Sequence, residues 1–340
     1  MKDGMKTKTP KQKTQTIPEI LAVIRKAKSI LISGHVRPDG DSLGSMIALA
    51  HLLNREGIPT WAVADQQGLG GPGFLRGVKS LISAKKALKT PCDLLITVDA
   101  GALDRLPQEI QTIAKRCTVV CIDHHITNTR FGTYNWIDGK ASSTGEMIWH
   151  LSRRAKWTLD EIAAEALWVA VVTDTGRFAY DMTKPSTLLC GADLLRHGVR
   201  TSVINDKLYA SFSRTNMELK KRAFKTLKLL RNGEIAYLTL SAKDLTETNG
   251  TKADAEDVID IPRHVEGNRV ALFFYGSKSN KNETRVSIRT RDPLNAFELA
   301  KQFDGGGHSR AAGCTIHQPM EQARKTMLTA IETWLDEQKS

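Results

Sequence analysis

The chain has 340 residues, 41% hydrophobic and 25% charged, the balance of a globular protein, and it is longer than one hydrophobic core normally supports, so two domains are expected. No apolar run approaches the roughly 20 residues that span a bilayer, which excludes a helical membrane protein. The formal net charge of +12 suits a polyanionic partner such as nucleic acid, and equally a solvated basic surface with no partner.

Residues 1–16 hold Lys2, Lys6, Lys8, Lys11 and Lys13 among Thr and Gln. Without an apolar stretch they predict a basic disordered tail, not a secretory signal. Residues 20–28 predict a short helix, 29–33 a strand, 42–55 a helix stopped at Gly57, and 59–64 a second strand. The glycine-rich stretch 66–74 matches neither the Walker pattern nor GxGxxG opening a helix, and predicts a mobile surface loop. Strands follow at 93–98 and 118–122, ending at Asp99 and Asp123. Strands alternating with helical stretches predict a parallel α/β sheet, in which ligands bind beyond the carboxyl ends of the strands. The Ala-rich run 163–172 predicts a buried helix delivering Thr173-Asp174-Thr175-Gly176. Residues 217–231 predict a helix with Phe224, Leu227 and Leu230 on one face and the basic run Lys220, Lys221, Arg222, Lys225, Lys228, Arg231 on the other. Period-two runs at 235–240, 269–275 and 284–289 then predict a smaller α+β domain. The five cysteines form no CxxC pair; buried free thiols in a reducing cytoplasm are expected, and a structural zinc site is not.

Gly34-His35-Val36-Arg37-Pro38-Asp39-Gly40-Asp41 and Ile122-Asp123-His124-His125 each follow a predicted buried strand. On a loop leaving a strand, His35, Asp39 and Asp41 can converge on one small volume. Imidazole with carboxylates suits Mn²⁺, and Mg²⁺ less well. With Asp99, His124 and Asp174 the ligands are too many for one open catalytic ion and fit two, which then need a shared carboxylate. Singly, each group has a bland explanation: a surface His, an Asp-Gly turn or a helix cap. Four separate segments would all have to carry such explanations at once. The pattern therefore points to metal-assisted hydrolysis.

These segments resemble the DHH phosphoesterases, whose naming motif stands here as Asp123-His124-His125. His35-x3-Asp39-x-Asp41, Val98-Asp99 and Thr173-Asp174-Thr175-Gly176 resemble the family's first, second and fourth motifs. Further on, Gly305-Gly306-Gly307-His308-Ser309-Arg310-Ala311-Ala312-Gly313 resembles the glycine–histidine signature of the DHHA1 domain, and Val286-Ser287-Ile288-Arg289 its substrate-binding strand. The resemblance runs from about residue 17 to residue 334 and is strongest to the short two-domain nano-RNases and pAp phosphatases. It departs at Ser42, where Ala is frequent, and at Thr290, where Ser is. It implies a DHH catalytic domain at 17–190, a helical linker at 191–232 and a DHHA1 domain at 233–336. It also implies two Mn²⁺ per chain, with Mg²⁺ or Co²⁺ as substitutes. His35, Asp39 and Asp99 would hold one ion; Asp41, Asp99, His124 and Asp174 the other, with Asp99 bridging. Asp123 would orient ligands from behind, and His125 would face the scissile phosphate.

The glycine triplet also reads on its own terms. Three glycines let a backbone pass close to a ligand and expose N–H groups to an anion, and Arg289 on a strand can fork onto a phosphate. Alone, the triplet would fit a tight turn before a buried helix; with a phosphoesterase domain upstream, Ser287, Arg289, Gly305, Gly306, Gly307 and His308 read as a phosphate and nucleotide grip. The expected enzyme is cytoplasmic, hydrolyses very short RNA or linear dinucleotides to 5′-mononucleotides, and extends to the 3′-phosphate of pAp. No membrane partner is expected, and a homodimer is compatible with the resemblance. The rivals are a RecJ-like exonuclease on long single strands, a manganese pyrophosphatase sharing the first domain, and a nucleic-acid-binding protein that no longer cleaves.

Overall fold

The structure is a computed structural model that describes residues 14–66, 69, 71–210, 212–251, 253–307 and 309–337. The chain forms two compact units, Met1–Ser211 and Phe212–Ser340. The division falls inside the expected linker 191–232.

The first unit runs α1 (Ile17–Ile24), β1 (Ile30–Ser33), α2 (Gly40–Arg55), β2 (Thr60–Val63), α3 (Ala84–Ala87), β3 (Leu94–Val98), α4 (Gln108–Ala114), β4 (Thr118–Asp123), β5 (Tyr134–Ile137), α5 (Thr144–Ala155), α6 (Glu161–Asp174), α7 (Pro185–Arg196) and α8 (Thr201–Asn205). Its five strands form a wholly parallel sheet in the order β2-β1-β3-β4-β5. Successive strand residues point to opposite faces. Ile30, Ile32, Ile96 and Val98 therefore pack with α1, α2, α5 and α6, while Leu31, Leu95 and Val119 pack with α3 and α4. Both faces are covered, so the strands read as unbroken apolar runs.

The structure corrects the sequence at several points here. Residues 1–13 of the expected tail lie outside the described residues, but Thr14 and Gln15 lie along the edge strand β5. The Gln15 N–H donates to the Asn135 carbonyl (2.7 Å) and the Ile137 N–H to Thr14 Oγ1 (2.8 Å), satisfying groups an edge strand otherwise leaves open. Of the glycine-rich stretch, Gln67, Gly68 and Gly70 lie outside the described residues, and Gly71–Phe74 is a single 3₁₀ turn. Cys121, Cys190 and Cys314 are buried, whereas Cys92 and Cys117 are only partly so, their sulfurs 3.0 Å apart before β3 and β4.

The second unit runs α9 (Arg214–Phe224), β6 (Lys228–Leu230), β7 (Ile235–Leu240), α10 (Ala242–Glu247), α11 (Asp260–Arg263), β8 (Val270–Gly276), β9 (Thr284–Thr290), α12 (Ala296–Lys301), β10 (Gly306–Gly307), β11 (Ala311–Ile316) and α13 (Met320–Glu337). The sheet order is β10-β11-β9-β8-β7-β6, antiparallel except for the parallel pair β7–β8. One face, with Val270, Leu272, Phe274, Val286 and Ile288, packs against α12 and α13. The other carries Leu238, Leu240, Phe273 and Tyr275 under α9, α10 and the turn Ala253–Ile259.

The helix predicted over 217–231 ends at Phe224 and the chain becomes β6. Thr226 accounts for the break. Its hydroxyl binds the carbonyls of Ala223 (2.7 Å) and Thr239 (3.1 Å) and accepts from the Thr239 N–H (2.8 Å). A side chain that competes for backbone groups in this way ends a helix and ties the chain to the neighbouring strand. The predicted apolar face is lost: Phe224 is 61% exposed. The basic run is also less available than its composition suggests. Lys220 pairs with Asp257 (2.6 Å), Lys221 with Glu218 (3.2 Å), Arg222 with Glu247 (2.6 Å), and Arg231 with Asp336 (2.9 Å). Among the described residues no helix is long and apolar enough to cross a membrane.

Candidate metal centre

The ligand candidates of the first unit gather beyond the carboxyl ends of β1, β3 and β4, where the parallel sheet leaves room between strand ends and helix starts. His35 lies in the turn after β1. Asp39 caps α2 and accepts the Ser42 N–H (3.0 Å). Two residues further, at the second position of α2, Asp41 is fully buried. Its Oδ2 accepts the Thr144 N–H (2.7 Å); its Oδ1 accepts the Gly145 N–H (2.8 Å) and the Ser45 hydroxyl (3.2 Å). The carboxylate thus sits on the open N–H groups at the start of α5, where the helix dipole favours negative charge.

That placement needs two close approaches. A Cβ on Gly44 would meet the Ala166 carbonyl oxygen at 2.3 Å, and one on Gly145 would meet the Ala170 Cβ at 2.4 Å. Glycine at these positions lets α2 and α5 press against α6, and α6 ends at Asp174.

Asp99 follows β3 with φ of 53°, the left-handed region that Asp tolerates better than most side chains. Its side chain faces two groups at once. Oδ2 lies 3.5 Å from His35 Nε2, itself 3.7 Å from Asp39. Oδ1 lies 3.6 Å from His124 Nε2, which is 3.1 Å from Asp174 and 3.9 Å from Asp41. Two sets therefore emerge, His35–Asp39–Asp99 and Asp41–His124–Asp174, each with ligand atoms within 4.8 Å of one another. A third set, Asp99–His124–His125, also meets that distance, so His125 stands nearer the ligand cluster than the sequence implied. Its Nδ1 lies 2.7 Å from Asp123 Oδ1, and Asp123 also accepts from Asn128 Nδ2 (2.5 Å).

The electrostatics show what this cluster demands. Burial alone would lower His35 and His124, yet contacts with Asp39 and Asp99 raise His35 to about 10, and Asp174, Asp41 and Asp99 raise His124 to about 10. Burial pushes the Asp41 carboxyl up, and the neighbouring Asp99 and Asp174 push it further. Asp99 is raised as well, by burial first, against the pull of His35. Carboxylates packed this closely cannot all ionise without compensating cations. Separations of 3.1–3.9 Å come close to those of donors around a small hard ion, whose octahedral edges are about 3 Å. The residues fit divalent metals in donor type, number and spacing.

In the second unit, Ser287 and Arg289 lie two apart on β9 and share a face, with Arg289 Nη1 on the Ile288 carbonyl (3.0 Å). Gly306 and Gly307 form β10 and pair with Gly313 and Ala312 of β11. The alternative of a tight turn before a helix is therefore corrected: residues 311–316 are a strand. Cβ atoms on Gly305 and Gly307 would meet backbone carbonyl oxygens at 2.5 Å, while one on Gly306 would meet open space. The triplet thus lays an exposed backbone along the sheet edge. His308 lies outside the described residues.

Two family models match the chain: the DHH family, N-terminal domain, over residues 29–171, and the DHHA1 domain over residues 232–337. The protein of Thermus thermophilus named bifunctional oligoribonuclease and PAP phosphatase NrnA is 30% identical over 325 residues, covering 94% of each chain. The chain belongs to the DHH phosphoesterase family. The protein of the same name from Bacillus subtilis is 29% identical over 93% of this chain and 97% of its own. The crystal structure of an exopolyphosphatase-related protein from Bacteroides fragilis shares the fold, with a TM-score of 0.86 at 23% identity over 95% of this chain and 97% of that one.

Sequence reasoning passed over the groups that hold this DHH centre from behind: Ser45, Asn128, Thr144, Gly145 and Glu146. One signal was there. Ser143-x-x-Glu146 has the spacing of a capping box, and Ser143 does cap α5 through the Glu146 N–H (3.0 Å). Glu146 itself reaches past the cap, accepting from the Ser142 N–H (3.0 Å), the Ser142 hydroxyl (2.5 Å) and the Thr187 hydroxyl (2.9 Å).

Proposed function

We propose that this chain is a Mn²⁺-dependent phosphodiesterase that hydrolyses RNA of a few nucleotides, including linear dinucleotides, to 5′-mononucleotides, and removes the 3′-phosphate of pAp. The observation that carries the reading is Asp99, whose two oxygens face separate His–carboxylate sets 3.5 and 3.6 Å away. The relatives' names, oligoribonuclease and PAP phosphatase, supply the substrate class.

His35, Asp39 and Asp99 would hold one ion, and Asp41, Asp99, His124 and Asp174 the second. Two such ions supply a water acidic enough to attack phosphorus near neutral pH and positive charge for the attacking and leaving oxygens. The chain's own groups do the rest. Thr144 and Gly145 fix Asp41 from behind, which holds its ligand oxygens in one orientation. Asp123, itself held by Asn128, steadies the His125 ring. The Asp123 contact raises the His125 pKa, which favours the protonated imidazole that would donate to a phosphate oxygen. Ser287, Arg289, Gly305, Gly306, Gly307 and His308 would hold the terminal nucleotide and its phosphate. The described cysteines are free thiols, which suits a cytoplasmic protein.

A turnover panel in Mn²⁺ with a dinucleotide, a five-mer, a long single strand and pAp tests the reading. The dinucleotide and five-mer should be cleaved faster than the long strand, and pAp should release phosphate. Processive degradation of the long strand at the dinucleotide rate would replace the short-RNA reading with that of a long-strand exonuclease.

A further inference from the structure

Within the second unit, a pocket of about 300 Å³ opens beside the start of β9, lined by Leu245, Thr251, Tyr275, Ser277, Lys278 and Arg285 among others. Its floor is apolar: Leu245 and the Tyr275 ring are buried. Its polar wall is cationic. Arg285 sends Nη1 to the Tyr275 hydroxyl (3.1 Å), with its guanidinium carbon 5.9 Å from the ring centre. Lys278 Nζ donates to the neutral Gly250 carbonyl (2.8 Å) and pairs with no carboxylate among the described residues, which leaves further N–H donors to offer. The carboxylate on Arg285 is Glu283, at 3.8 Å, too long for a direct hydrogen bond. Among the described residues lining the pocket there is no acid. Two cations above an apolar, aromatic floor suit a phosphate monoanion or diester carrying a nucleoside.

The position of this pocket gives it a role. Arg285, Ser287 and Arg289 alternate along β9 and share one face, while Val286 and Ile288 point into the core. Arg285 and Arg289 are four residues apart, about 13 Å along a strand. One phosphate step of an extended nucleotide chain does not reach across that distance; two steps do.

We propose that Arg285 and Lys278 form a second phosphate subsite that engages RNAs of three or more nucleotides and leaves dinucleotides untouched. The inference rests on the reading of Arg289 as the terminal phosphate grip. A dinucleotide held there ends short of the pocket. A longer RNA lays a further phosphate against Arg285, and so the face measures substrate length.

Equilibrium binding tests this without chemistry. Wild type, Arg285→Gln and Lys278→Gln would be titrated with fluorescent 5′-phosphorylated RNA dimer and pentamer, with metal chelated. The pentamer should weaken roughly tenfold in Arg285→Gln and by a smaller factor in Lys278→Gln, with the dimer within twofold of wild type. The pentamer's log–log salt slope should also fall by about one, as for loss of one phosphate contact. Equal loss for both lengths, or no loss for either, overturns the subsite. So does a wild type that binds the pentamer no more tightly than the dimer. If dinucleotides are still hydrolysed in the turnover panel, the proposed function survives that failure. If binding is length-dependent but no RNA is cleaved, the subsite stands and the proposed function falls. Lys278→Gln guards against a folding defect in Arg285→Gln, whose guanidinium also packs on Tyr275.

Discussion

In the first unit three carboxylates of the site are inside the protein, with Asp41 and Asp123 fully buried and Asp99 3% exposed, while Asp39 reaches the surface. In the second unit Arg285 and Arg289 lie along one face of β9, and across β11 from it runs a glycine edge whose backbone is exposed. The two arrangements carry different physics. A buried carboxylate is costly unless it is hydrogen-bonded or bound to a cation, so the first unit surrounds them with N–H groups, hydroxyls and imidazoles. A guanidinium costs less to place at a surface, and these are steadied by neutral groups, Arg285 by the Tyr275 hydroxyl and Arg289 by the Ile288 carbonyl. Under the proposed function the first unit would carry chemistry that tolerates little displacement, and the second would hold the ligand.

Removing Asp99 tests this contrast with the largest expected effect. Asp99→Ala takes a ligand from both metal sets at once, and loss of two-metal stabilisation should raise the barrier by several kcal/mol. Turnover of a dinucleotide in saturating Mn²⁺ should fall on the order of a thousandfold or more. A variant that kept a tenth of the wild-type rate would show that Asp99 does not bridge.

Arg289→Ala should act more mildly and in a different quantity. A charge-assisted fork on a desolvated phosphate is worth roughly 1.5–3 kcal/mol, so kcat/KM should fall roughly ten- to a hundredfold. It should fall in kcat as well if remote binding positions the scissile bond. Calorimetric titration should still find two Mn²⁺ per chain, because every proposed ligand lies in the first unit. A folded Arg289→Ala protein that lost a metal would erase the division of labour between the units.

The same contrast explains what could be read in the sequence. The parallel sheet was legible because strands covered on both faces are apolar runs, and the gathering of His and Asp because such residues recur at the ends of several of those runs. β5 escaped notice because Tyr134-Asn135-Trp136-Ile137 is short and interrupted by a polar residue, and α5 because its start is written in Ser and Thr. The end of α9 was missed for a more general reason. The basic periodicity of 217–231 continues through Thr226, and a single hydroxyl that bonds to a distant strand cannot be seen in a local pattern. The pairing of Lys220 with Asp257 and of Arg231 with Asp336 was hidden likewise, since charge composition says nothing of which residues the fold brings together.

The smallest expected effect concerns the groups behind the metal centre. Glu146 is buried, and burial alone would raise its carboxyl. Contacts with His150, Ser142 and Ser186 outweigh that and hold it at about 2. A carboxyl depressed in the folded state stabilises the fold above its unfolded value, near 4.5, and that contribution drains away as pH falls toward 2. Glu146→Gln exchanges charge-assisted hydrogen bonds for neutral ones, a loss of about 1–2 kcal/mol at pH 7. The unfolding temperature of the first unit should drop by several degrees at pH 7, and the gap to wild type should narrow steadily between pH 4.5 and pH 2. Because Glu146 sits one residue beyond the Thr144 and Gly145 N–H groups that orient Asp41, the variant should also bind Mn²⁺ more weakly at the Asp41–His124–Asp174 set and leave phosphate binding in the second unit unchanged. A stability gap that stayed constant with pH would mean that the Glu146 charge does not hold the start of α5, and Asp41 would then owe its orientation to the backbone of that helix alone.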